Sequence, residues 1–132
     1  MVRLLFFIAL FSLPASAQEL PWTLDCREVI HAEANDNLTD YDVGKSKRFE
    51  LTFSRKAADD WVMIGNLGTV PIVALAGPGV VHLFETTPVG AINVTQISTT
   101  GDQDEYPAVH SRHTVIWGEQ VPSQYLLRCR GR

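Results

Sequence analysis

The sequence predicts an all-β protein, either a small antiparallel meander barrel or a flattened sandwich of about eight strands, with the first and last strands joined by a disulfide. Three observations predict this fold. Apolar residues alternate with polar ones in short segments, turn-forming residues separate these segments, and no segment has a helical hydrophobic period. Closure into a barrel would also remove the strand edges that make a secreted β protein prone to aggregation.

The amino terminus is typical of a secretory signal peptide. Arg3 precedes an apolar core of ten residues, "LLFFIALFSL", whereas about 20 residues are needed to span a bilayer. Ala15-Ser16-Ala17 then forms a small-x-small cleavage pattern. The sequence therefore predicts a signal peptide over residues 1–17 and a single exported β domain over residues 18–132. That domain is expected to be periplasmic or secreted and not to span a membrane.

The first four predicted strands lie on either side of a long polar stretch. Trp22, Leu24 and Cys26 share one face of the first strand, as alternation requires. The polar stretch 31–47 is predicted to be a long loop, with at most one helical turn. The strands on either side of Asn66-Leu67-Gly68 are predicted to form a tight hairpin. These four strands are expected at 22–30, 48–54, 61–65 and 69–75.

The remaining four strands follow at short intervals. Gly77-Pro78-Gly79 marks the turn before the fifth strand, and an acidic loop beginning at Gly101 separates the sixth strand from the seventh. Asn93-Val94-Thr95, in the sixth strand, matches the glycosylation sequon, a triplet that also arises by chance. These four strands are expected at 79–85, 91–99, 108–117 and 123–129.

The two cysteines, Cys26 and Cys129, lie near opposite ends of the predicted domain. An isolated pair in an oxidising compartment is expected to form one disulfide. In a barrel with an even number of strands, the first and last strands are antiparallel neighbours, so this bridge would close the seam. The wide spacing, with no Cys-x-x-Cys, argues against a zinc site or a thioredoxin-like redox motif.

The charge of the predicted domain argues against nucleic acid as a partner. The whole chain has 11 basic and 15 acidic residues and a net charge of −4. Removal of Arg3 with the signal peptide makes the domain more acidic still. Because binding to phosphates requires a basic surface, nucleic acid is not expected to bind.

The last hairpin contains the strongest candidate binding residues. If "GEQVP" (118–122) is its loop, Trp117 lies opposite Ser123. The same register places Ser111 and His113 on the core side, with Val115 and Tyr125. The outward face would then carry a basic strip, defined as His110, Arg112, Arg128 and Arg130.

This basic strip needs a neutralising partner because like charges opposed on a sheet are destabilising. One alternative is internal, since alignment of the two cysteines would set Asp25 against Arg130 as a surface ion pair. The other is functional, with the strip meeting an acidic protein or an anionic ligand. Both alternatives stay open at the level of sequence.

Catalysis and metal binding have weaker support. Ser111 and His113 lie two residues apart, so on a strand their side chains point the same way instead of toward each other. No Gly-x-Ser-x-Gly elbow accompanies them. His31, His82, His110 and His113 occupy different segments or faces, which is not a metal-ligand spacing. The sequence predicts no enzyme activity, no cofactor and no metal.

Two resemblances add to this interpretation. The closing pattern resembles that of uncharacterised small exported proteins of alphaproteobacteria; its matching residues are Ala108 to Thr114, Gly118, Glu119, Val121 to Tyr125 and Cys129. This resemblance implies a periplasmic β protein and implies no activity. In architecture alone, the chain is similar to the periplasmic inhibitors of c-type lysozyme, small barrels with a disulfide at the terminal strands. A likeness of fold alone is a weak warrant for function.

Two functions are therefore expected from different classes. The first is a non-catalytic, exported binding or inhibitory module that acts through its strand faces or loop rim. The alternative is a carrier whose barrel interior holds an apolar small molecule, since eight strands make about the smallest barrel that can do so.

Overall fold

Nine antiparallel strands form one continuous sheet in the computed structural model, which describes residues 19–34, 41–45, 49–57, 60–66, 68–100 and 104–132. The predicted signal peptide, residues 1–17, lies outside these residues. The strands are β1 (Thr23–Ala34), β2 (Tyr41–Lys45), β3 (Glu50–Ala57), β4 (Asp60–Gly65), β5 (Gly68–Gly77), β6 (Val80–Thr86), β7 (Ile92–Ser98), β8 (Tyr106–Ile116) and β9 (Glu119–Gly131).

The sheet closes into a barrel. Its order is β2-β1-β3-β4-β5-β6-β7-β8-β9, and β9 also pairs with β1. Eight strands thus form a closed antiparallel meander, and β2 is an extra strand on the far half of β1. The predicted β class is confirmed, and of the two predicted architectures the structure has the barrel.

The prediction that residues 31–47 form one long loop is wrong. β1 continues to Ala34, and its far half pairs with both β2 and β9. A register shift between Glu28 and Ile30 marks a bulge at Val29. Because this bulge reverses the alternation, Glu28 and His31 both point into the barrel. The sequence loses its apolar alternation here because the inward residues are polar, although the strand continues.

The predicted disulfide is confirmed and closes the seam. Cys26 and Cys129 are bonded to each other and lie directly opposite one another on β1 and β9. Both are buried in the core. A disulfide in this position is compatible with an oxidising, exported compartment.

One end of the barrel is filled with apolar side chains. The completely or almost completely buried core residues Leu24, Phe53 and Leu127 lie inside it. The segment before β1 covers this end, with Leu20 buried in the same cluster and Pro21 so close to Gly131 that a Cβ atom there would lie 2.5 Å from Pro21 Cγ. We call this the closed end.

The predicted register of the last hairpin is wrong. Its turn consists of Trp117 and Gly118 alone, both with positive φ (55° and 85°), and Ile116 lies opposite Glu119. Positive φ at both central residues is the signature of a type I′ turn. The observed pairs are His110 with Tyr125 and Ala108 with Leu127, an offset of five residues from the predicted register. Because the offset is odd, every side chain of β8 changes face.

Candidate functional site

The barrel interior becomes polar toward the end opposite the closed end, which we call the mouth. Here β3, β5, β7 and β9 begin and β4, β6 and β8 end. Four inward polar residues are consecutive cross-strand neighbours on β6, β7, β8 and β9. We call them the polar row: Glu85, Asn93, Arg112 and Ser123.

The centre of the polar row is Asn93, which is only 6% exposed. Its Nδ2 donates to Glu85 Oε2 at 2.6 Å. Its Oδ1 is buried and has no hydrogen-bond partner among the described residues. A buried acceptor without a donor is costly, so a ligand donor that reached this oxygen would stabilise the site. Among the described residues, neither Arg112 nor Glu85 forms an ion pair.

A layer of rings lies beneath the polar row. Phe49 and Tyr125 stack with their centroids 4.4 Å apart, and the His110 ring lies 5.4 Å from Phe49. The His31 ring also stacks on Tyr125, with the two centroids 6.1 Å apart. His110 Nδ1 and Thr95 Oγ1 are hydrogen-bonded at 2.7 Å. Along β8 and β9, this aromatic layer (His31, Phe49, His110 and Tyr125) lies between the polar row and the core residues Ala108 and Leu127.

Glu28 fixes the aromatic layer from the side of β1. Its Oε1 is 2.9 Å from His31 Nδ1, and its Oε2 accepts from the backbone N–H of Phe49 at 3.2 Å. His31 is also packed against β2, where a Cβ at Gly44 would lie 2.8 Å from His31 Cε1. A single buried carboxylate therefore positions two of the four rings.

A cavity of about 370 Å³ opens at the mouth. We call it the cup. Glu85, Asn93, Arg112 and His110 line one side of it, and the opposite side is an apolar wall of Phe49, Leu51, Met63 and Val70. Gly65 and Gly68 lie at the rim, and a Cβ at Gly68 would meet nothing within 4 Å. The cup is thus small and amphipathic, with a few polar groups facing an apolar surface, as is usual for small-molecule sites.

His110 is uncharged at neutral pH. Its residue is 2% exposed, and burial, together with the nearby positive charge of Arg112, lowers its pKa from 6.5 to about 4. Glu50 and Glu85 also line the cup, and the Tyr125 ring lies 6.0 Å from the His110 ring. Neutral His110 can therefore donate or accept a hydrogen bond without adding charge.

The pKa of His110 predicts acid sensitivity of the fold. Because the unfolded chain binds this proton near pH 6.5 and the folded chain only near pH 4, folding is favoured fully above pH 6.5 and progressively less as pH falls. Between pH 7 and pH 5 this one group should remove about 2 kcal/mol of the free energy of unfolding. This loss is measured by urea unfolding of the wild type and of His110→Asn at pH 7 and at pH 5. An equal pH dependence in the two proteins would contradict the assignment.

The structure divides the predicted basic strip between two surfaces. His110 and Arg112 face the barrel interior, so the prediction that they point outward is wrong. The cause is the register error at the Trp117-Gly118 turn. Arg128 and Arg130 do lie on the outer face and are exposed. Arg130 donates to Glu105 Oε1 through Nε and Nη2, at 2.9 and 2.6 Å.

Arg130 pairs with a carboxylate of the protein itself, as one alternative predicted, but the carboxylate is that of Glu105 and not that of Asp25. Asp25 does lie opposite Arg130 in the ladder, but the Asp25 carboxylate pairs with Arg132, whose Nε is 2.6 Å from Oδ2. Both pairs are exposed and each stabilises the fold by only about 0 to 1 kcal/mol.

The prediction that Ser111 and His113 join the core is wrong as well, for the same reason. Ser111 Oγ accepts from Gln124 Nε2 on the outer surface at 3.4 Å, and His113 is exposed. Among the described residues, no group of three or more His, Cys, Asp and Glu side chains is arranged to hold a metal ion.

Sequence reasoning missed most residues of the site, among them four polar residues that lie inside the barrel. Glu85 and Asn93 of the polar row, and Glu28 and Thr95 below it, all lie in segments that were correctly predicted as strands. Each lies an even number of positions from the apolar inward residues of its strand, and this spacing could have identified it as an inward residue. The sequon at Asn93 pointed to the surface, whereas Asn93 and Thr95 are both buried inside the barrel.

Comparison of the chain with protein-family models, with curated proteins and with solved structures gave no match. The two resemblances drawn from the sequence therefore stay predictions. In the described part of the chain, no helix has the length and apolar character required to cross a bilayer.

Proposed function

We propose that this protein is an exported, non-catalytic binding module that takes a small ligand, or the end of a larger one, into the cup. The observation that carries the proposal is the cup itself, in which a cationic side chain and a buried unpaired amide oxygen face an apolar wall. Sites of this kind bind through the apolar surface and orient the ligand through the few polar groups.

Arg112 supplies the anion-binding character that was expected of the basic strip. It is half-buried at the cup, where a guanidinium is less hydrated than at the surface and pairs more strongly with a carboxylate or phosphate. Arg128 and Arg130 are left outside the proposed site, because they lie on the outer face and Arg130 is already paired with Glu105.

The alternative function, a carrier whose barrel interior holds an apolar small molecule, has less support. His110 and Phe49 of the aromatic layer line the cup together with core residues such as Leu51, and the barrel beyond them is filled by Phe53, Leu127 and the other core residues. A volume of about 370 Å³ is near the lower limit of the range of about 300 to 1,000 Å³ typical of ligand sites. The cup therefore fits a small ligand with a polar head.

The proposal is tested by filling the cup. Val70 lines it, whereas Val73, on the same strand, is 62% exposed on the outer face. We expect the fluorescent probe 8-anilinonaphthalene-1-sulfonate, which has an anionic head and an apolar body, to bind the native protein. Val70→Trp should weaken this binding about tenfold or more, a difference of about 1.4 kcal/mol, and Val73→Trp should leave it unchanged.

Circular dichroism of both variants provides the control for folding. If Val73→Trp disturbs probe binding and Val70→Trp does not, the probe binds the outer wall and the cup is not the site. If the native protein does not bind the probe, the proposal fails in its present form.

A further inference from the structure

We infer that the cup recognises a zwitterion, an apolar α-amino acid whose ammonium group meets Glu85 and Asn93 and whose carboxylate meets Arg112. This inference rests on the proposed function, because it assigns the ligand of the same cup. It starts from a property of the polar row. Glu85 on β6 and Arg112 on β8 carry opposite charges on either side of Asn93, and they do not pair with each other.

The spacing of these charges suits one small ligand between them. Glu85 lies opposite Asn93, and Asn93 lies opposite Arg112. Adjacent strands are about 4.8 Å apart, so the backbones that carry the two charges are separated by about 10 Å. Glu85 and Arg112 form no ion pair with each other within 4.0 Å. A ligand whose ammonium and carboxylate groups are bonded to the same carbon can lie between the two side chains and contact both.

The hydrogen-bonding state of Asn93 assigns the ammonium end. Since Nδ2 already donates to Glu85 Oε2, the amide presents its buried Oδ1 as an acceptor without a partner. Glu85 retains its second oxygen as an acceptor. An ammonium group has three donors and no acceptor, so it can satisfy both oxygens together. The carboxylate on the next carbon is then left for the guanidinium of Arg112.

Electrostatics favours the zwitterion over either simple ion. A plain carboxylate at Arg112 would also meet the negative charge of Glu85, and a plain amine at Glu85 would meet the positive charge of Arg112. Glu50, at the rim of the cup, already faces Arg27, with Arg27 Nε and Glu50 Oε1 3.5 Å apart. Rejection of the wrong ligand by an unpaired like charge is a common source of specificity.

The apolar wall assigns the side chain of the amino acid. Phe49, Leu51, Met63 and Val70 face the polar row across the cup, so a ligand held by its charges at the polar row directs its remaining atoms toward them. Burial of apolar surface against this wall favours a leucine-like or phenylalanine-like side chain over a charged one.

Isothermal titration calorimetry of the full domain tests the inference with L-leucine and two analogues. 4-Methylpentanoate lacks the ammonium group, and 3-methylbutylamine lacks the carboxylate. We expect L-leucine to bind, and each analogue to bind about tenfold or more weakly, a difference of about 1.4 kcal/mol. Arg112→Gln and Glu85→Gln should each weaken leucine binding to a similar extent, whereas Arg128→Gln, a change on the outer face, should not.

A change of preference separates direct recognition from a structural role. Glu85→Gln should weaken leucine binding. Its affinity for 4-methylpentanoate should equal or exceed that of the native protein, because the variant no longer repels the carboxylate. A variant that is only less well folded would lose affinity for both compounds.

Two results would overturn the inference while leaving the proposed function in place. In the first, 4-methylpentanoate binds native protein as tightly as leucine does. In the second, no amino acid binds, although the fluorescent probe binds the native protein and Val70→Trp weakens that binding. If the probe is also insensitive to Val70→Trp, the proposed function itself is refuted.

Discussion

Reduction of the Cys26–Cys129 disulfide is expected to lower the free energy of unfolding by about 2 to 5 kcal/mol. The two cysteines are 103 residues apart in sequence, and a bond that closes so long a loop restricts the unfolded chain strongly. It also joins β1 to β9 at the seam that closes the barrel. Urea unfolding with and without a phosphine reductant measures the loss, and intact mass with and without reduction should differ by two hydrogens.

A matched variant separates the covalent link from the packing of the sulfur atoms. Both cysteines are almost completely buried, so Cys26→Ala with Cys129→Ala removes the bond and leaves a small void. Reduced wild type keeps the sulfur atoms and should be more stable than this double variant. A reduced protein within about 0.5 kcal/mol of the oxidised one would contradict the prediction, since the link would then not restrict the unfolded chain.

The strands and the disulfide could be predicted because they depend on alternation and on compartment. Leu24 and Cys26 on β1, and Leu51 and Phe53 on β3, are buried apolar residues two apart, and this period is visible without any knowledge of the partner strand. The cysteines need only an exported chain and antiparallel terminal strands. Neither prediction requires the exact register of a strand pair.

The faces of β8 could not be predicted because they depend on one turn. The type I′ turn at Trp117-Gly118 places a non-glycine residue in the left-handed region, which is uncommon for a bulky side chain. Pro122 suggested a loop, yet it lies within β9 opposite His113. This position precedes the part of β9 that also pairs with β1, which begins at Ser123, and a proline is tolerated where no second strand needs its N–H.

The polar interior of the mouth could not be predicted by the reasoning that identified the core. Alternation identifies inward residues by their apolar character, so the polar residues Glu28 and Asn93 are not recognised as inward within their predicted strands, and His31 falls in a predicted loop although its backbone continues the ladder. Only the hydrogen bonds inside the barrel, such as that of Asn93 with Glu85, make these positions stable. A function built from buried polar groups is therefore the part of this protein that sequence patterns describe least.

Replacement of Glu28 by alanine is expected to cost about 3 to 5 kcal/mol of the free energy of unfolding, as is typical when one partner of a buried pair is removed. The Glu28 side chain is 0% exposed and lies 2.9 Å from His31 Nδ1. Its loss leaves the His31 ring and the backbone N–H of Phe49 without their acceptor and creates a void beside the bulge at Val29. Urea unfolding at neutral pH measures the change.

Glu28→Gln provides the matched control, because glutamine has nearly the same volume and keeps one oxygen acceptor. It should cost less, about 1 to 2 kcal/mol, since one of the two hydrogen bonds can persist. The two variants also differ in their expected effect on the cup. Because Glu28 positions Phe49, a residue of the apolar wall, Glu28→Ala should broaden the NMR signals of the Phe49 and Tyr125 rings, and Glu28→Gln should broaden them less. If Glu28→Ala is as stable as Glu28→Gln, the carboxylate only fills space, and the aromatic layer is held by ring packing alone.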